Sequence, residues 1–249
     1  MKRVLFEIAF NGENYHGWQI QDNATSIQEH ITKSINIIIK SENVINIIGC
    51  GRTDKGVHAE KFYFHVDLPV NIDLNSFSYK INQILPPDIL IINYKNVNED
   101  FHARYDAVSR TYEYRITQKK EPFQNGLFNF IKQELDIQLL NESCKKLIQY
   151  KDFTSFSKVH TDVKNFNCNI FEAFWKQNGH QIIFTITSNR FLRNMVRAIV
   201  GTMLLVGQKK ISLQDFCQII ELKDRSLAGP SVKAKGLFLV NVDYYTNED

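Results

Sequence analysis

The chain has 249 residues, 43% of them hydrophobic, and carries 30 Lys and Arg against 27 Asp and Glu, for a formal net charge of +3. That is enough chain for one large core or two smaller ones, and the mild basicity permits nucleic-acid binding without requiring it. No apolar run approaches the roughly 20 residues of a membrane span, Glu7 interrupts the N-terminal stretch too early for a signal peptide, and no tract is of low complexity, so a soluble, cytoplasmic, folded protein is expected.

In chain order, Val4, Phe6, Ile8 and Phe10 alternate with Leu5, Glu7 and Ala9, which predicts a strand. A turn-rich segment, NGENYHGWQIQ, leads to a helix opened by Ser26 with Glu29 as a capping box and striped by Ile27, Ile31, Ile35 and Ile38. Residues 44–48 read as a short strand running into GCGRTDKGVHAE. The next strand sets Phe62, Phe64 and Val66 on one face and Tyr63, His65 and Asp67 on the other. A helix over 73–85 stops at Pro86-Pro87, and 89–94 reads as a strand. The polar segment 96–106 marks a junction, predicting domains 1–105 and 106–249.

Beyond it, 108–117 is a strand with Arg110, Tyr112, Tyr114 and Ile116 on one face, and 137–150 an amphipathic helix. Strands 171–176 and 181–187 flank the hairpin signal Asn178-Gly179. An apolar-rich helix spans 191–206, Ser212 and Asp215 cap another, and 237–244 is a last strand. The fold class expected is α+β: two similar halves with mostly antiparallel sheets flanked by helices, and a ligand cleft between them.

The loop GCGRTDKGVHA places Arg52, Asp54 and His58 among Gly49, Gly51 and Gly56. An isolated string of this kind is more often a tight turn in which the aspartate caps its own backbone. It lacks the ending of a P-loop and the spacing of a dinucleotide fold. Cys50, Cys144, Cys168 and Cys217 lie far apart, which argues against a zinc site or disulfide framework. A metal-dependent hydrolase built on Asp54, His58 and His65 or His102 is disfavoured because the histidines have no ligand spacing.

GRTDKGVHA resembles the active-site motif of the TruA family of tRNA pseudouridine synthases. GENYHGWQIQ, Ser26-Ile27-Gln28, DFHAR at 100–104, RTYEY at 110–114, DFTSF at 152–156, FLRNMVRAIVG at 191–201 and the closing AGPSVKAKGLFLVNVDY are similar to that family in the same order, over nearly the whole chain. Two departures stand out. Asn11 replaces an aspartate with the same turn chemistry, and Val232-Lys233 replaces an Ala-Pro pair, which bears on the local loop and on Leu237.

The resemblance implies an isomerase that converts uridine to pseudouridine in the anticodon stem-loop of tRNA, at positions 38–40, without metal or cofactor. It implies Asp54 as the reacting carboxylate, whether at C1′, at C6 or as a base at C2′, with Arg197 as its partner. Tyr112 is then the active-site tyrosine, stacking on the uracil or relaying a proton. Arg52 is left to hold the extruded base, and Leu237 closes the apolar side of its pocket. Arg104, Arg110, Arg190, Arg193, Lys209 and Lys210 are candidate phosphate contacts. By its spacing alone Arg197 reads as one side of a solvated helix face shared with Arg190 and Arg193. The partners implied are tRNA and a second copy in a homodimer. The competing reading is a tRNA-binding or chaperone protein of the same fold without catalysis.

Overall fold

The computed structural model describes residues 1–40, 44–158 and 164–244. Five α-helices and nine mostly antiparallel strands run through the described residues, the α+β class that the patterning predicts. They form two compact units: Met1–Val108 with the segment from Leu239 on, and Ser109–Phe238. The sequence break expected at 105/106 leaves a second half running to the end of the chain. Instead the closing strand returns to the first unit, where it lies beside a central strand and buries Leu239 and Val242.

In the first unit β1 (Lys2–Phe10) pairs with β3 (His58–Leu68) on one side and β4 (Ile89–Val97) on the other, and β9 (Leu237–Tyr244) follows β3. Val4 faces Val66, Phe6 faces Phe64 and Ile8 faces Phe62 in the register, and all six side chains are buried. The Phe6 and Phe64 rings stack 5.2 Å apart. Helix α1 (Ile27–Ile39) buries Ile27, Ile31 and Ile35, and α2 (Leu74–Ile84) buries Leu74, Phe77 and Ile81. Ser26 caps α1 by accepting the Glu29 N–H at 3.3 Å, and the Glu29 carboxylate, its pKa lowered foremost by Lys33 one turn on, also feels the Ser26 main chain. The strand expected over 44–48 is shorter and later, β2 (Ile48–Gly49), because only Ile48 and Gly49 reach β3.

In the second unit β5 (Ala107–Thr117, from Ser109 on) pairs with β8 (Gln181–Ser188), which pairs with β7 (Ile170–Asn178), and β6 (Asn129–Phe130) runs parallel to β5. The hairpin turns on Gly179 and His180, since Asn178 still faces Gln181 and the positive φ of +58° falls on Gly179. Helices α3 (Ile137–Leu147), α4 (Met195–Gly207) and α5 (Leu213–Glu221) pack together, the last opened by a full Ser212–Asp215 capping box. The helix expected over 191–206 begins four residues late. Asn194 adopts a left-handed φ of +66° at the position before the helix, leaving 191–194 as an irregular lead-in.

Candidate active site

Asp54 lies in the connection between β2 and β3. The connection starts where Cys50 N–H donates to the Tyr63 carbonyl at 2.7 Å, and closes where Val57 N–H donates to the Asp54 carbonyl at 3.2 Å. The third residue of that four-residue turn is Gly56 with φ +75°, the left-handed position that glycine fills without strain. Asp54 is half-buried and Arg52 is exposed.

A second segment, residues 12–18, packs main chain to main chain on this turn. Gly56 N–H donates to the Tyr15 carbonyl at 3.1 Å, and Trp18 N–H to the Thr53 carbonyl at 3.4 Å. Buried His58 uses Nδ1 to accept the Gly12 N–H at 3.1 Å. Contact is so close at Gly12 that a Cβ there would stand 1.9 Å from the Val57 carbonyl oxygen. Trp18 stacks on Phe62 at 4.2 Å, and Tyr15 donates its hydroxyl to Asp88 at 2.5 Å; burial and then Asp88 push that phenol above its ordinary range. Two motifs some forty positions apart in the chain are therefore tied into one turn.

Arg197 lies in the second unit as the one charged residue of α4, a helix whose other residues are all buried except half-buried Leu205. Arg190 and Arg193 precede the helix, so the three arginines do not form the solvated face their spacing suggests. Arg197 Nε donates to the Val232 carbonyl at 2.7 Å, and Val232 N–H returns a bond to the Arg197 carbonyl at 3.1 Å. The strap 228–232 is held to α4 further by Asn194 Nδ2 on Ser231 Oγ at 2.6 Å and by Gly229 N–H on Thr202 Oγ1 at 2.9 Å.

A Cβ on Gly201 would stand 1.9 Å from the Pro230 carbonyl oxygen. Both departures at 232–233 are absorbed here. Val232 works through its main chain, and Lys233 has φ −59°, the angle a proline ring would impose. Its carbonyl accepts the buried Tyr114 hydroxyl at 2.9 Å. Burial raises the Tyr114 phenol and the nearby Arg197 charge opposes that rise. Sequence reasoning gave no role to this strap or to Tyr114; the AGPS stretch was the available signal.

Tyr112, half-buried on β5, meets Phe191 edge to face at 5.2 Å, and Leu237 is buried. Among the candidate phosphate contacts, Arg110 donates to the Asn189 carbonyl at 2.8 Å. Arg104 is exposed above the Tyr105 ring, Arg190 is half-buried, and Arg193 and Lys210 are exposed. Lys209 is ion-paired at 3.2 Å with Asp136, the N-cap of α3, which weakens its claim to a phosphate. The histidines weighed as metal ligands engage the main chain: His65 Nδ1 accepts the Ala103 N–H at 3.1 Å, and His102 Nδ1 those of Arg104 and Tyr105.

A family model described as tRNA pseudouridine synthase matches residues 144–245. The tRNA pseudouridine synthase A of Parabacteroides distasonis is 46% identical over 245 residues, covering 98% of this chain and 96% of that one. Its counterpart in Porphyromonas gingivalis is 47% identical, with 98% of each chain covered. The Staphylococcus aureus enzyme of the same name is 34% identical across 99% of this chain and 93% of its own.

Proposed function

The chain belongs to the tRNA pseudouridine synthase family, and on that premise we propose that it isomerises uridines in the anticodon stem-loop of tRNA, at positions 38–40, through the Asp54 carboxylate. Pseudouridylation of tRNA is an isomerisation: the N1–C1′ bond breaks, a C5–C1′ bond forms, C5 gives up its proton and N1 gains one. No atom is lost or gained overall. The protein's task is to hold the nucleotide out of its stack, at a cost of a few kcal/mol, and to present an ionised carboxylate.

The observation that carries this reading is the joint made by residues 12–18 and the Asp54 turn. Two segments that resemble the family are tied by Gly56 N–H to Tyr15 and by Gly12 N–H to His58. Such a joint fixes the main chain that carries Asp54. Tyr112 and Arg197 are the second unit's proposed contributions, as a stacking or proton-relaying phenol and a stabilising guanidinium. Arg52, exposed beside the turn, is assigned to the RNA.

The test is release of tritium from tRNA labelled at uridine C5. Wild type should release it without added metal and with chelator present. Asp54→Asn and Asp54→Ala should release none while still binding tRNA. Release by either variant at the wild-type rate removes Asp54 from the chemistry. Mapping the product with a pseudouridine-specific modification reagent checks positions 38–40, and binding by wild type without release would favour the non-catalytic reading.

A further inference from the structure

We propose that Phe123 is a stacking platform for one unpaired base of the bound tRNA, with Lys119 and Lys120 on the adjoining phosphates. This rests on the tRNA-modifying reading above and names a contact it does not contain.

Phe123 is the most exposed large apolar side chain among the described residues, its relative exposure of 103% leaving the ring wholly in solvent. A single exposed apolar residue is commonplace; what marks this one is its mounting. It stands in the middle of a short 3-10 turn, Pro122–Gln124, which Pro122 opens with its fixed φ. The flanks are clamped to the β7–β8 hairpin: Glu121 pairs with His180, and Gln181 Nε2 donates to Gln124 Oε1 at 3.2 Å. Gln124 N–H and Leu127 N–H close successive turns at 3.1 and 3.0 Å. The ring is thus displayed on an anchored loop, so ordering the backbone costs little when a partner arrives.

Charge indicates which partner. Lys119 and Lys120 are exposed and lie four and three residues before the ring, and Lys235 Nζ reaches Asn125 Oδ1, two residues beyond it, at 3.4 Å. Lys132 is exposed beside Gln133, whose carbonyl accepts from Gln118. The acidic residues of the same stretch, 118–136, are Glu121, engaged by His180, Asp136, engaged by Lys209, and Glu134. An aromatic face among lysines is the combination that binds single-stranded nucleic acid, the ring taking a base and the ammonium groups the backbone. A second copy of the chain fits less well, since a two-fold contact centred on this turn would set the lysines against their own images.

Tyr112 lies five residues before the end of β5, about 17 Å along an extended strand, and Phe123 is carried on the loop that follows that end. The ring is assigned to affinity rather than rate, which the KM and kcat of the variants test.

The experiment uses full-length protein and an unmodified tRNA transcript, with binding followed by fluorescence anisotropy across a salt series and turnover by tritium release. Phe123→Ala should weaken binding about tenfold and raise KM in step, leaving kcat within about twofold. Phe123→Trp should bind at least as tightly as wild type. Lys119→Gln with Lys120→Gln should lower the slope of log affinity on log salt by about one to two. Wild-type affinity in Phe123→Ala overturns the proposal. So does a change of oligomeric state in sedimentation with tRNA affinity intact, which would make this face a contact between copies. Wild type that neither binds nor turns over tRNA brings down the proposed function itself, a result separable from failure of the alanine variant alone.

Discussion

Asp54 and Arg197 are fixed by the same device in different materials. In each unit a main chain comes so close that a glycine has no room for a side chain: Gly12 against the Val57 carbonyl, Gly201 against that of Pro230, each at 1.9 Å from an added Cβ. Around Asp54 both partners are loops tied by a few hydrogen bonds. Around Arg197 one partner is a helix buried on nearly every side and the other a strap laid upon it. A packed helix cannot yield, whereas two loops share a displacement, so equal crowding should produce unequal damage.

The largest effect is therefore expected from Gly201→Ala. With α4 immobile, the strap must lift, breaking the Val232 bonds to Arg197, and about 3 kcal/mol of stability should be lost in denaturant unfolding. A cost under about 1 kcal/mol would show that the strap adjusts freely.

Acid should separate the units in a different way. His65, in the first unit, is held neutral down to about pH 4 by burial foremost, then by Arg3 and His102, against an ordinary value of 6.5. An unfolded chain takes up this proton first as pH falls, so the stability His65 contributes is complete above pH 6.5 and is lost as pH drops toward 4. Integrated over the window this is about 3 kcal/mol at most. His65→Asn keeps an acceptor for the Ala103 N–H but cannot titrate, and should flatten the pH dependence of unfolding there relative to wild type. In the second unit the buried groups Cys144 and Cys168 are pushed the other way, to about 12 and about 11, and stay neutral throughout.

Gly12→Ala comes next, at about 2 kcal/mol, because both loops can give. Its tritium release should nevertheless fall further than its folded fraction, since the part that gives is the Asp54 turn. Equal loss of both would mean the turn is not displaced. The smallest effect should come from Lys233→Pro. The residue already has φ −59°, so the substitution should leave activity intact and raise the melting temperature slightly, by up to about 1 kcal/mol of stability. Destabilisation would show that the Lys233 N–H is needed.

What could be read from the chain were the features carried by neighbours in sequence. The period-two alternation of Val4, Phe6 and Ile8 and the caps at Ser26 and Ser212 act within a few residues, and the structure places these elements where the pattern does. The turn around Asp54 was legible because its glycines lie within the loop they shape, whereas a reacting role for its carboxylate was implied only by the family resemblance. The late start of α4 was not: the apolar run Phe191-Leu192 reads as helix until Asn194 takes a left-handed turn.

Only the tertiary structure decided the rest. It brought His58 to the Gly12 N–H, the Val232 carbonyl to Arg197 and Leu239 back to the first unit. Each joins residues between 35 and more than 100 positions apart, and each is a main-chain or packing contact to which many side chains could have been party. Local sequence specifies dihedral preference and which face is apolar. Which distant backbone completes a hydrogen bond is set by how the packed elements exclude water, and no short window of residues contains that.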